Sequence, residues 1–540
     1  MIKNFINKPI GHYPLIVIVA LFMVTFFNFS FFKNTLNVYE FSGLNIVYIF
    51  SLYIVLSFFI IFLLSLFASR YTTKPLLISL LVISSFCAYF MDTYNVVIDD
   101  SMIQNALQTD FNESLDLLSF SLIFYFLFLA LLPSWIIYKL PIKYRPLRQE
   151  LLEKLIYVLG ALLLIVIILF SLSKFYTSFF REHKPLRYYT NPTYWIYGIG
   201  KYTALMSQSV PKDMIKIGED ATIREKVDTD TLKKPELVIL VVGEATRADR
   251  FSLNGYERET NPLLAQENVI SFPNFFSCGT STAHSVPCMF AMYDRKSYSD
   301  YKARTTENVL DVLDRVGVNI LWRDNNSDSK GVALRVAYED YRTPANNTIC
   351  DEECRDEGML IGLDSYINKH QGENVLIVLH QMGNHGPAYY KRYPKEFEKF
   401  TPVCQTNQLE KCSMEEIGNA YDNSVLYTDT FLEKTITLLK NYEETYGTTM
   451  IYMSDHGESL GENGLYLHGM PYFMAPDEQK RVASVLWLGE SNQKNLQYEK
   501  IKAKKDLLFS HDNLFHSLLS VFEVETDVYD KSQDIFYDTK

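Results

Sequence analysis

Hydrophobic and polar positions follow two different rules along this chain. In the first third, five uncharged apolar stretches of 17 to 23 residues occupy positions 14–32, 45–67, 75–91, 117–138 and 155–173. A spanning helix needs about 20 apolar residues, because at 1.5 Å per residue that length crosses the hydrocarbon while every backbone amide finds its partner within the helix. Five such runs within 175 residues predict five transmembrane helices rather than a set of buried core helices. Beyond about residue 235 the rule changes. Runs of five to seven apolar residues at 237–243, 318–322, 374–380, 448–454 and 483–488 alternate with amphipathic stretches such as 308–316 and 420–440. Short continuous runs read as strands buried on both faces, and their alternation with helical patterns predicts a mainly parallel sheet covered by helices. The expected organisation is a five-helix transmembrane domain over 1–175, an interfacial linker over 176–235 and an outer α/β domain over 236–540.

Charge assigns the two parts to different surroundings. The first 175 residues carry 11 Lys/Arg against 9 Asp/Glu, and the rest carry 40 against 54. An acidic polar domain without a basic stripe excludes a nucleic-acid partner. Within the front part the cations flank alternate loops: Lys3 and Lys8, then Arg70 and Lys74, then Lys139, Lys143, Arg145, Arg148 and Lys154. Such loops are retained on the cytoplasmic side. The 99–116 loop carries Asp99, Asp100, Asp110, Glu113 and Asp116 and no cation, so it faces out, as does everything after Lys174. No small-x-small cleavage site follows residue 32, where the chain reads Lys33-Asn34-Thr35, so the first span is expected to stay as an anchor.

The cysteines agree with this topology. Cys87 lies in the third span, and Cys278, Cys288, Cys350, Cys354, Cys404 and Cys412 all lie in the outer domain, an even number in an oxidising compartment. Fifteen pairings are possible. The local pairs Cys278/Cys288, Cys350/Cys354 and Cys404/Cys412 need the least chain reorganisation, Cys350/Cys354 being the tightest. Matched CxxC pairs, which a thiolate zinc cluster would want, are absent from the sequence. In the linker, Tyr188, Tyr189, Tyr194, Trp195 and Tyr197 precede a charged stretch at 212–234. Those rings would either lie along the bilayer interface or pack as an ordinary connector.

Candidate chemistry sits where the predicted strands end. The first strand stops at Gly243-Glu244, the strand at 374–380 runs into Asn384-His385-Gly386, and the strand at 448–454 stops at Asp455-His456-Gly457-Glu458, with His468 following. Ligands of open α/β sheets collect at the carboxyl ends of strands, and carboxylate oxygens with imidazole nitrogens suit zinc. Any one of these residues alone is compatible with a capped turn; their convergence is the signal. A hydroxyl-rich turn at 278–288 (CGTSTAHSVPC) offers a nucleophile, or simply a helix N-cap. A hydroxyl at a helix N-terminus next to zinc serves both readings, since dipole and metal each favour a negative oxygen.

The segments VVGEATRADRFSLNGY, SCGTSTAHSVPCMF, WRDNNSDSKGV, LHQMGNHGPAYYKRYP and SDHGESLGENGLYLHGMPYFMAP, preceded by five spans, resemble the phosphoethanolamine transferases that modify lipid A, in particular their mobile colistin-resistance branch. The resemblance covers nearly the whole chain and implies an alkaline phosphatase/sulfatase-like α/β soluble domain. It implies Thr282 as the nucleophile, Glu244, Thr282, Asp455 and His456 as ligands of one tightly bound zinc, and His385 and His468 as contacts of substrate or of a second zinc. Lys330 and Ser327 match phosphate-contacting residues. Asn105, Thr109 and Glu113 match a lipid-headgroup set, and their i, i+4, i+8 spacing would place all three on one helix face. A sulfatase proper is disfavoured, because Met289 stands where the formylglycine motif needs Arg.

What the resemblance implies is zinc-dependent transfer of phosphoethanolamine from phosphatidylethanolamine to a lipid A phosphate through a phosphothreonine, in a monomer of the bacterial inner membrane with its catalytic domain in the periplasm. Polymyxin resistance would follow. The alternatives are a lipid phosphodiesterase or glycerophosphate transferase of the same superfamily, or a lipid-binding pseudoenzyme, which the intact Glu244, Thr282, Asp455 and His456 argue against.

Overall fold

The computed structural model describes residues 9–109, 111–143, 145–207, 214–224 and 234–537, without the side chains of 111–113. Lys3, Lys8, the Glu113 side chain and much of the 212–234 stretch therefore lie outside the described residues. The chain divides into two compact units: residues 1–103 with 118–203, and residues 104–117 with 204–540.

The first unit is helical. Four helices are long and apolar enough to cross a membrane: α3 (Gly43–Phe67), α4 (Thr73–Tyr94), α7 (Phe120–Lys139) and α8 (Leu147–Ser171). The pair α1 (His12–Phe26) and α2 (Phe29–Val38), bent by 55°, is long and apolar enough for a fifth when the two are taken together as one span. A break within hydrocarbon leaves backbone groups with no water to bond. At the break, Ser30 N donates to Asp92 Oδ1 (3.0 Å), and the fully buried Asn28 donates through Nδ2 to Met23 O (3.1 Å) and Asn191 O (2.7 Å) and accepts from Asn191 N (2.8 Å). Helix α7 contains a π turn over Phe126–Leu131 just before Pro133, which cannot donate to the preceding turn. Lys74 donates to Tyr138 O and Lys154 to Leu66 O, so cations from the predicted cytoplasmic loops cap helix carbonyls at one end of this unit. The aromatic run packs here: Trp195 and Tyr189 are buried, bonded to Asn191 Oδ1 (3.1 Å) and Asn95 O (3.1 Å).

One helix was expected to carry Asn105, Thr109 and Glu113 on a single face. Two form instead, α5 (Asp100–Gln108) and α6 (Phe111–Asp116). The break follows Gln108, where the Thr109 hydroxyl donates to Asn105 O (2.8 Å), a local bond that competes with continuing the helix.

The second unit is built on a seven-stranded sheet: β1 (Glu236–Gly243), β2 (Val269–Ser271), β3 (Asn319–Asp324), β4 (Ala337–Asp340), β5 (Val375–His380), β6 (Gly447–Ser454) and β7 (Ser484–Leu488), in the order β2-β7-β6-β1-β5-β3-β4. The five from β6 to β4 are parallel, and β7 runs antiparallel to both neighbours. All eight β1 positions are buried, as an apolar central strand demands. Each such Val, Leu or Ile contributes about 1.5–3 kcal/mol of burial. Between strands lie α9 (Thr282–Phe290), α10 (Val309–Arg315) and α11 (Met414–Lys440), the last two opened by capping boxes at Asn308 and Ser413. The three local disulfides expected from sequence are present: Cys278–Cys288, Cys350–Cys354 and Cys404–Cys412.

Candidate active site

Register alone brings the first groups together. Gly243 pairs with Ser454, and Val242 pairs with both Met453 and His380, so β6, β1 and β5 end level. The next residues, Asp455, Glu244 and Gln381, therefore leave the sheet side by side. Close approach of the third turn needs a glycine: Gly383 has φ +51°, and a Cβ there would meet Glu244 O at 2.9 Å. Asp356 fixes the same turn, accepting from Met382 N (2.9 Å) and Gly383 N (3.1 Å).

Thr282 arrives from the opposite direction as the first residue of α9. Its hydroxyl donates to Glu244 Oε2 (3.0 Å) and lies 3.2 Å from His456 Nε2. The same His456 nitrogen lies 3.2 Å from Glu244 Oε1 and 3.4 Å from Asp455 Oδ2. His456 Nδ1 is 2.9 Å from Gly457 O and donates to it, so the lone pair on Nε2 faces the carboxylates. Glu244 Oε1 and Asp455 Oδ2 are buried and have no hydrogen-bond partner among the described residues. Burial, with the Asp455 charge alongside, pushes the Glu244 carboxyl well above its usual range, and burial pushes His456 down to about 4. Two buried acids with idle oxygens, a neutral imidazole and a hydroxyl form a tetrad that lacks only positive charge. That donor set fits a divalent cation.

A second cluster adjoins the first. The rings of His468 and His456 are 4.1 Å apart and those of His385 and His468 5.4 Å. His468 Nδ1 is 2.9 Å from Glu458 Oε2, whose other oxygen accepts from Tyr389 (2.8 Å). His456, Glu458 and His468 form another group able to hold a metal. Thr280 ties the nucleophile turn to this loop, accepting from Gly469 N (2.7 Å) and donating to Met470 O (2.6 Å).

The residues expected to contact phosphate follow β3. Lys330, at φ +50°, donates to Ser327 O (2.7 Å) and Gln108 O (3.3 Å). Asn105 and Thr109 are half-buried, and both belong with Lys330 to the second unit. Sequence reasoning left three groups without a role. Asn326 donates to Glu244 Oε2 (2.8 Å) and Gln381 O (2.7 Å); Glu458 orients His468; and His511 sits beneath Cys278 and Ser454. Asn326 and Glu458 lie inside quoted motifs, which was the available signal; His511 gave none.

Residues 236–524 match the sulfatase family, and residues 56–206 match the family described as phosphoethanolamine transferase EptA/EptB. The chain is 43% identical to phosphatidylethanolamine transferase Mcr-1 of Escherichia coli over 96% of each chain. It is 39% identical to phosphoethanolamine transferase EptA of Escherichia coli K12, over 99% of this chain and 98% of that one. The structure of the integral membrane lipooligosaccharide phosphoethanolamine transferase A of Neisseria meningitidis superposes with a TM-score of 0.93 at 34% identity, covering 98% of this chain and 99% of the other. Sequence and fold thus match along almost the full length, and this chain belongs to the phosphoethanolamine transferase family.

Proposed function

We propose that the chain transfers phosphoethanolamine from phosphatidylethanolamine to a lipid A phosphate through a phosphothreonine at Thr282, on the periplasmic side of the bacterial inner membrane. The observation that carries this reading is the convergence of the Thr282 hydroxyl with Glu244 and His456 within 3.2 Å, with Asp455 Oδ2 3.4 Å from the His456 nitrogen. A zinc ion held by Glu244, Thr282, Asp455 and His456 would supply positive charge that makes the hydroxyl easier to deprotonate and offsets charge on phosphoryl oxygens.

The protein's own groups align and neutralise, which is most of what phosphoryl transfer requires. Thr282 Oγ1 attacks the donor phosphorus, the phosphorus to diacylglycerol oxygen bond breaks, and diacylglycerol leaves after taking up a proton. A lipid A phosphate oxygen then attacks the same phosphorus, the bond to Thr282 breaks, and the hydroxyl regains its proton. His385 or His468 carries that proton, the latter oriented by Glu458. Lys330 and Ser327 hold the phosphate, and Asn105, Thr109 and Glu113 receive the headgroup. The α9 N-terminus faces the growing negative charge. Each modified phosphate gains an ammonium, which weakens electrostatic attraction of polymyxins.

The test is the mass of lipid A from cells expressing the chain, with Thr282→Ala alongside. Addition of phosphoethanolamine by the wild type alone, with the covalent adduct on Thr282 by mass spectrometry, supports the proposal. An adduct on another residue, or headgroup loss without a modified acceptor, rejects it.

A further inference from the structure

Residues 104–117 belong to the second unit although the chain on both sides of them belongs to the first. Two sets of bonds hold this segment. At its start, Lys330 Nζ donates to Gln108 O (3.3 Å). At its end, Asp116 is gripped on every acceptor: Lys391 Nζ lies 2.5 Å from Oδ1, Arg392 Nη2 3.1 Å from Oδ2, and Asn407 Nδ2 donates to the main-chain oxygen (2.6 Å).

Arg392 makes this more than a surface ion pair. Its side chain is 2% exposed and its three nitrogens are all committed: Nη2 to Asp116, Nη1 to Glu353 and Nε to His385 O (2.7 Å). One guanidinium therefore joins the end of the segment to the main chain of a histidine in the candidate site. A cavity of about 320 Å³ adjoins the grip, and its lining includes Asp116, Lys391 and Asn326, whose amide holds Glu244. Apolar side chains would dock such a segment at less desolvation cost; what a buried, fully bonded charge pair adds is a single register.

We propose that Asp116 is a positioning residue for lipid substrate: gripped by Lys391 and Arg392, it registers the 104–117 segment against the His385 turn so that a headgroup presented from a bilayer meets Thr282. The proposal deepens the transferase reading and rests on it. Asp116 touches no reacting atom. Its loss should leave the tetrad of Glu244, Thr282, Asp455 and His456 in place and remove the side-chain tie between the His385 turn and the end of the segment bearing Asn105 and Thr109.

The experiment uses the full chain in proteoliposomes, with two donors: dioleoyl phosphatidylethanolamine in the bilayer, and the water-soluble dibutyroyl form, which needs no presentation. For Asp116→Asn we expect KM for the bilayer donor to rise roughly tenfold or more, as misplacement of a substrate costs. The turnover number at saturation, activity on the soluble donor and zinc content should stay within about twofold, and Asp116→Glu should recover most of the loss. Should Asp116→Asn fail to fold, Lys391→Met, which leaves the Arg392 pair intact, should show the same KM-selective defect in milder form. Equal losses on both donors, or no loss on either, would overturn the proposal. A wild type that modifies no acceptor from either donor overturns the transferase reading itself, a separate outcome.

Discussion

Asn326 Nδ2 lies 2.8 Å from Glu244 Oε2. That amide fixes one carboxylate oxygen while the other faces His456 Nε2, so Glu244 presents itself to a metal in one orientation. Groups that orient a ligand in this way typically account for 10–100-fold in metal affinity or activity. Asn326→Ala should lower zinc affinity and transfer by about that factor while the fold persists, as read by metal titration and circular dichroism. Unchanged affinity would make the amide a packing element only.

Removal of metal should destabilise the outer domain. Glu244 and Asp455 are buried with an idle oxygen each and face the neutral ring of His456, so a bound ion would relieve their repulsion in the folded state alone. Stabilisation by a ligand grows as RT ln(1 + [L]/Kd), about 4 kcal/mol at a thousandfold excess over Kd. A chelator should lower the Tm and re-added zinc restore it. An identical Tm with and without chelator counts against a metal at the tetrad.

Acid should weaken the fold through His511. Its Nε2 donates to Ser454 O (2.9 Å) and its Nδ1 accepts from Cys278 N (3.0 Å), an arrangement only the neutral ring can make. Burial pushes its pKa from 6.5 to about 4. The unfolded chain binds this proton below about pH 6.5 and the folded chain does not. The contribution to stability is therefore complete above pH 6.5 and lost as pH falls toward 4. Unfolding followed from pH 7 to 4.5 should show stability falling on the acid side, with His511→Gln losing about one proton's worth of slope. Equal slopes would remove His511 as the cause.

Gly383→Ala should be costly despite its size. The residue sits at φ +51°, and the new Cβ would meet Glu244 O at 2.9 Å and Glu244 N at 3.0 Å. Left-handed backbone in a non-glycine residue costs on the order of 1–3 kcal/mol, and the clash also displaces Glu244. We expect lower Tm together with lower zinc content; loss of stability with full zinc occupancy would mean that the turn yields without moving the site.

Much of this protein is written in local pattern. Uncharged runs of membrane length yielded the apolar helices, because hydrocarbon admits little else, and short apolar runs yielded β1, β3, β5, β6 and β7, because strands inside a covered sheet are buried on both faces. Glu244, Thr282, Asp455 and His456 were legible because each stands at a strand or helix end within a long motif. What no local pattern carries is which ends come level. Thr282 reaches Glu244 across 38 positions and His456 across 174, a meeting decided by the pairing of β1 with β6 and β5. The same holds for Asn28 bonded to Asn191 at the bend between α1 and α2, for the interruption between α5 and α6, and for Asp116 held by Lys391 and Arg392 from 275 and 276 residues away. Periodicity records which side of an element avoids water; the partner of a buried polar group is chosen by packing between distant segments, and only the folded chain settles it.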